Sequence, residues 1–541
     1  MSVNPPPSPS AKQRSPLVEL LLIAAPVVAT MTSYTLMQFV DKLMVSRIGP
    51  DPIYVGAQGN GGLAAFVFIS VMMGMITVIN TYVSQNLGAG KPQNAPAYVA
   101  TGVWLSVVYW LIVMLPFGLI LPYVFEMIRE TPVGPGAAAE LVNLDRRDQL
   151  AVSYGRILIY GSVITMTCRA VAQYFYGMHK PVVILLASLI GNIVNLVFNV
   201  ILIFGPNAPV ATGYSTIDGG FEAAASVARS LGIPAMGVEG AGWATLLGTL
   251  VELAIPLGYF LSPKYHRLYN TRSRAVWRVS IKHAKDIFRI GWPGALMFGN
   301  EMICWSFFMV YLVGTFGTLH STAGWIAHQW MTLSFMPTVG ISVAMTATVG
   351  KCLGMKRPDL AIQRAWLGLM LAVAYMSFCA ICFVVFRHDL VRLFVQRDTS
   401  PEDMETIVTL GSRFLIATAA FQFFDGIAMS LSGALRGAGD TRWTGLVTLI
   451  LSWSIIVCGG LAMVRFMPEL GSLGPWIAAA TYIVILAMCI LYRWLSGKWK
   501  TISLLGNSSD LSPDATVTQA ATDAASMGVS GAAGDPLASP K

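Results

Sequence analysis

The 541-residue chain is 55% hydrophobic and only 11% charged, with a mean hydropathy of +0.63 and a formal net charge of +8. A soluble domain carries roughly a quarter charged residues because its surface faces water, so an ordinary soluble enzyme or binding module is excluded. The basic residues fall mostly in short loops between apolar runs, where they report membrane orientation and not a nucleic-acid surface.

The chain opens with MSVNPPPSPSAKQRSP, so residues 1–15 read as a disordered tail. The apolar run after it is too long for a cleavable signal core and is expected to stay as the first span. Each apolar run, such as Trp104 to Val124 or Val182 to Phe204, is long enough to cross a hydrocarbon layer of about 30 Å as a helix. The first six spans are expected at 17–47, 56–87, 96–124, 151–176, 182–204 and 238–261. The second six are expected at 288–316, 322–353, 363–386, 408–435, 443–465 and 472–495. The reading is therefore an all-α integral membrane protein of twelve spans, with an N-lobe at 16–262, a basic linker at 263–287 and a C-lobe at 288–497. A polar stretch at 498–541 reads as a second disordered tail.

An internal repeat supports two related halves. Leu87-Gly88-Ala89-Gly90-Lys91-Pro92 after span two matches Leu353-Gly354-Met355-Lys356-Arg357-Pro358 after span eight. Pro26 corresponds to Pro293, Gly177 to Gly437, and Gly240 to Gly474 once an insertion at 206–236 is allowed. That insertion carries Tyr214, Asp218 and Glu222 and is assigned to the extracytoplasmic side. Halves separated by six spans share one orientation, as in transporters whose parallel repeats rock about a central cleft. Lys and Arg, including Arg436, concentrate on the side of the linker and both tails, which is therefore read as cytoplasmic.

Three carboxylates fall inside spans, where a charge is expensive and by default functional. Asp41 lies towards the outer end of span one, Glu301 about 12 residues into the expected span seven, and Asp425 well inside span ten. Lys42 is adjacent to Asp41, and neighbouring helical residues do not face each other. Glu301 and Asp425 have no basic residue three or four positions away. A buried carboxyl without a local cation is suited to exchanging a proton or accepting Na⁺ as water reaches it. These three are the candidate ion-coupling residues, whereas Glu252 in span six is read as structural. Asn195 and Asn199 share a face of span five, and with His328, Gln329 and Arg169 they are candidate cleft residues. Interhelical hydrogen bonding accounts for the asparagines equally well. The cysteines lie in apolar runs and behave as small hydrophobes, including the Cys379/Cys382 pair.

At this point the chain resembles the MATE (multidrug and toxic compound extrusion) family over about residues 15–497. The resemblance rests on Phe424-Asp425-Gly426 followed by Gly433-Ala434-Leu435-Arg436-Gly437-Ala438-Gly439-Asp440-Thr441. It rests also on Asp41 in VDKLMVSRIG, Glu301 after Trp292-Pro293, and Gln85-Asn86-Leu87-Gly88-Ala89. The three acids together resemble the NorM-type branch, while Asn199 stands where the DinF-type branch has an acid. The resemblance implies two V-arranged six-helix bundles that export organic cations or drugs in exchange for Na⁺ or H⁺, with no tightly bound cofactor. It implies ion coupling at Asp41 in the N-lobe and at Glu301 and Asp425 in the C-lobe, the latter pair holding Na⁺ if sodium is the ion. Phe421, one turn before Asp425, departs from the pattern by offering no hydroxyl. The expected setting is a plasma (bacterial inner) membrane, as a monomer, with both termini cytoplasmic.

The rival transporter reading is a lipid-linked oligosaccharide flippase, which needs basic cleft residues to hold pyrophosphate; the span interiors offer few beyond Lys42 and Arg169. No HExxH, phosphate loop or His/Asp cluster points to an enzyme, and no pore loop or charged ring points to a channel.

Overall fold

The computed structural model describes residues 15–49, 53–129, 137–207, 215–395 and 400–505. Among them no strand occurs, and twelve helices are long and apolar enough to cross a membrane. The first six are Pro16–Val45, Ile53–Gly88, Pro92–Ile128, Leu141–Gly177, Pro181–Phe204 and Gly237–Phe260. The second six are Ile281–Phe316, Thr318–Gly354, Pro358–Val385, Pro401–Ala438, Thr441–Phe466 and Leu473–Leu495. Helix is the natural outcome, since a spanning segment must satisfy its backbone polar groups internally. Proline sets the first turn of spans one, five, nine and ten, where its missing N–H is not needed. Ser15 and Ser400 cap spans one and ten by accepting from Val18 N and Asp403 N.

Three spans begin seven to ten residues before the hydropathy boundary. Spans four, seven and ten start with polar helical turns, such as Leu141-Val142-Asn143-Leu144-Asp145. Those residues form helix well but do not register as membrane-embedded.

Within the first half, span five packs on spans one and six, and span four on spans two and six. Within the second, span ten is the hub for spans eight, nine and twelve, and span seven packs on span eleven. The buried aromatics Phe308, Phe414, Phe421 and Trp476 form the core of that second bundle. Small residues let helices approach closely. A Cβ on Gly248 would lie 2.8 Å from Asn195 Cβ, and one on Gly294 would lie 2.8 Å from Gly74 O. The second contact joins spans two and seven, and so crosses between the halves.

The halves are tied together on the side that carries the linker. Thr81 Oγ1 donates to Arg436 O at 2.9 Å, Gln85 Nε2 to Gly437 O at 3.0 Å, and Asn80 Nδ2 to Val343 O at 3.3 Å. Glu19 accepts from Lys351 at 3.4 Å and from Arg364 at 2.6 Å. His179, between spans four and five, lies 3.2 Å from Ala347 O. Its imidazole is pushed down to about 4, first by burial and then by the nearby Lys351.

The 206–236 insertion contains a helix at Ser215–Leu231 that packs on span five and buries Ala225 and Ala228. Its Arg229 binds Glu222 at 2.5 Å and Pro206 O at 3.0 Å. Tyr214 lies outside the described residues, as do the tails at 1–14 and 506–541. The tail expected from 498 begins instead with a 3₁₀ turn at Lys498–Thr501, whose Trp499 stacks on Trp494 with centroids 4.3 Å apart. Stacking against a buried indole explains why a polar sequence is ordered there.

Candidate ion-coupling site

The sequence candidates fall into two clusters, one in each half. In the first half, Asp41 is buried and accepts from Asn199 Nδ2 at 2.5 Å. Asn199 Nδ2 also approaches Asn195 Oδ1 at 3.1 Å. Positions 195 and 199 are one turn apart, so the helical spacing places both amides on the face that meets span one. Tyr154 of span four lies alongside, with Gln58 and Thr245 against its hydroxyl. The structure thus brings Asp41, Asn195 and Asn199 together in one buried polar cluster.

Arg169 stands elsewhere in that half. It pairs with Glu252 at 3.5 Å, and its guanidinium sits over the Tyr34 ring at 4.1 Å. The Tyr34 hydroxyl donates to the same Glu252 carboxylate. Arg169, Glu252 and Tyr34 therefore form a closed set that balances its own charge. Sequence reading named the two charged members separately and had no signal joining them to Tyr34.

In the second half, Glu301 on span seven and Asp425 on span ten lie close enough to act electrostatically on each other. Both are half-buried, and neither has a hydrogen-bond or ion-pair partner among the described residues. The Tyr482 hydroxyl, from span twelve, lies within electrostatic reach of both acids; it is buried and has no hydrogen-bond partner among the described residues. Phe421, by contrast, is fully buried in the aromatic core. The phenolic oxygen that Phe421 lacks is thus supplied from another span, which no local pattern in the sequence could announce.

Arg436 is the second residue missed. Its place at the end of span ten suggests a loop cation, yet it lines an internal pocket with Thr77, Gly294, Phe298 and Ser432. Positions 425, 432 and 436 are seven and eleven residues apart and share one helical face. The Arg436 guanidinium consequently points back along span ten and acts on Glu301. The spacing was available in the sequence; that Glu301 of another span stands within reach was not.

Glu301 itself lies in regular α-helix, Ile281–Phe307, and the irregular turns stand nearby. Asn300 donates to Ser452 Oγ at 2.7 Å and accepts from Trp453 Nε1 at 2.7 Å. Ser452 opens a π-helical stretch, Ser452–Gly459, and a second, Phe308–Val313, follows Glu301 on span seven. Such turns free backbone groups and are frequent at functional sites. His328 lies between Trp305 and Trp325, with ring centroids at 5.9 and 5.5 Å. Gln329 is half-buried beside it on span eight. Among the described residues, neither forms a hydrogen bond or ion pair with the acid pair. Among the described residues, no cluster of three or more His, Cys, Asp or Glu is arranged to hold a metal ion.

Two helical bundles, joined on one side and each holding intramembrane acids, define a membrane transporter of the two-bundle type. The MatE family profile matches residues 26–201 and 295–459, one stretch in each half, and the chain belongs to that family. It is 27% identical to the probable multidrug resistance protein NorM of Pseudomonas syringae pv. tomato over 489 residues, covering 90% of this chain and 95% of the relative. A NorM from Synechococcus is 28% identical over 487 residues, covering 89% and 94%. Among solved structures, the outward-facing conformation of a multidrug resistance MATE family transporter superposes with TM-score 0.74 at 19% identity, covering 92% of this chain and all of that one.

Proposed function

We propose that the protein is a secondary active exporter of organic, often cationic compounds, driven by exchange against Na⁺ or H⁺. The observation that carries this reading is the trio of Glu301, Asp425 and Tyr482. Two half-buried carboxyls and a buried hydroxyl lie within electrostatic reach of one another, without hydrogen-bond partners among the described residues. Such a set has oxygen atoms to offer a small cation, and its carboxyls can instead take up a proton. Asp41, held by Asn199, is the ion-responsive group of the N-lobe. The NorM relatives support drug-like cargo.

The linker side carries most Lys and Arg and is assigned to the cytoplasm of a bacterial inner membrane. The halves meet on that side through Asn80, Thr81, Gln85 and Glu19. The conformation is then the one open outward, in which cargo leaves and the ion enters. Ion binding at the trio favours this state, and its release towards the cytoplasm resets the cycle. The transporter works as a monomer, each chain holding both bundles. The flippase reading loses support because Arg169, its main cleft cation, is engaged by Glu252 and Tyr34.

Ethidium export from proteoliposomes, under an imposed pH gradient or an imposed Na⁺ gradient, tests the proposal. Wild type is expected to respond to one gradient, and Asp425→Asn to lose that response. Undiminished gradient-driven export by Asp425→Asn would remove the acid pair from the mechanism.

A further inference from the structure

The linker between spans six and seven is neither extended nor detached from the helices. Thr271 Oγ1 donates to Phe260 O at 2.7 Å, and Trp277 Nε1 donates to Thr271 O at 2.9 Å. Trp104 Nε1, from span three, donates to Trp277 O at 3.0 Å. Trp104 follows the start of that span by twelve residues, about 18 Å along the helix at 1.5 Å per residue. The linker therefore turns back along the outer wall of span three. Tyr265 anchors its first turn, buried beside Tyr174, Phe175 and Tyr259, with Lys180 stacked over the ring at 4.7 Å.

On this fixed frame every Lys and Arg from Pro263 to Arg289 is exposed, and none forms an ion pair among the described residues. The segment's one carboxylate, Asp286, is half-buried and faces the Tyr98 hydroxyl at 3.4 Å. Between the cations, Leu268, Val279, Ile281 and Phe288 are exposed by 54%, 68%, 70% and 58%. The cations of this surface have no protein counter-charge, and its apolar groups have no protein cover. Burial and then the neighbouring Lys264 already hold Lys180 below the usual lysine range. At a bilayer interface both kinds of group find partners, the cations with phosphates and the apolar side chains with the acyl boundary.

We propose that the linker and the first turns of span seven, from Pro263 to Arg289, form a docking surface for anionic phospholipids of the adjoining leaflet. Headgroup phosphates engage Arg274, Arg278, Lys282 and Lys285, and Leu268, Val279 and Ile281 sit at the acyl boundary. Arginine suits this role because its planar fork meets phosphate with two parallel hydrogen bonds. The linker joins the wall of span three to the start of span seven, so bound lipid braces one half against the other.

The test uses the full-length protein in nanodiscs of phosphatidylcholine and phosphatidylglycerol at 3:1, with lipid retained after detergent extraction measured by mass spectrometry. Wild type is expected to enrich phosphatidylglycerol at least about threefold over its bulk share, with enrichment falling at high salt. The combined variant Arg274→Gln, Arg278→Gln, Lys282→Gln and Lys285→Gln should return to the bulk ratio. A Lys282→Arg, Lys285→Arg variant controls for folding and should keep the enrichment. Phosphatidylglycerol enrichment unchanged in the Gln variant, or equal retention of phosphatidylcholine, would overturn the proposal. So would thermal stabilisation by inorganic phosphate equal to that by phosphatidylglycerol, since that marks a soluble-anion site.

Discussion

The Arg169–Glu252–Tyr34 set offers the sharpest test of which polar groups are scaffold and which are machinery. Arg169 and Glu252 expose only 21% and 7% of their side chains. Replacing Arg169 by Met strands a buried carboxylate, a change that costs about 3–5 kcal/mol. Loss of the stacking on Tyr34 adds about 0.5–2 kcal/mol. The Tyr34 hydroxyl still donates to Glu252, and the carboxyl can take up a proton, so the low end of about 3.5 kcal/mol is expected. The double variant Arg169→Met, Glu252→Gln removes both charges and keeps an acceptor for Tyr34. It should recover about 2 kcal/mol of the loss. Thermal midpoints of the purified protein, followed by tryptophan fluorescence, should rank wild type above the double variant and the double above Arg169→Met. The reasoning is refuted if Arg169→Met keeps the wild-type midpoint while losing export, because Arg169 would then be a cargo ligand and not a scaffold.

Arg436→Gln removes the cation that acts on Glu301, so the coupling ion should bind more tightly, by roughly tenfold in half-saturating concentration. Arg436→Lys should stay near wild type, and a weaker ion affinity in the Gln variant would contradict the assignment. Glu19→Gln breaks two partly exposed ion pairs worth together about 1 kcal/mol, which moves the linker-side closure equilibrium roughly fivefold towards opening. The rate at which a maleimide applied from that side labels Ser84→Cys, in a background without other cysteines, measures this directly. His179 has its imidazole pushed down from 6.5 to about 4, so the unfolded chain binds the proton more readily. Stability from this group is therefore full above about pH 6.5 and is lost as pH falls towards 4. In His179→Asn, which tolerates the positive φ of 57°, that part of the acid dependence of the thermal midpoint should disappear.

Much of the architecture is local information and was legible in the sequence. Apolar runs mark the twelve spans because each crosses the membrane as an independent hydrogen-bonded helix. The paired turns after spans two and eight, each Leu-Gly followed by a basic residue and Pro, point to the duplication, and the cost of an intramembrane charge singles out Asp41, Glu301 and Asp425. Periodicity even placed Asn195 and Asn199 on one face. What those groups touch was decided by packing between distant segments. Asp41 meets Asn199 across 158 positions, Tyr34 meets Glu252 across 218, and Arg169 meets Glu252 across 83. The same holds for Tyr482 beside the acid pair, for Arg436 turned inward from a helix end, and for a linker folded back on span three. Hydropathy and spacing act along the chain over a few turns of helix. Partners across the bundle are chosen by close contacts such as Gly74 on Gly294, and those exist only once the helices have packed.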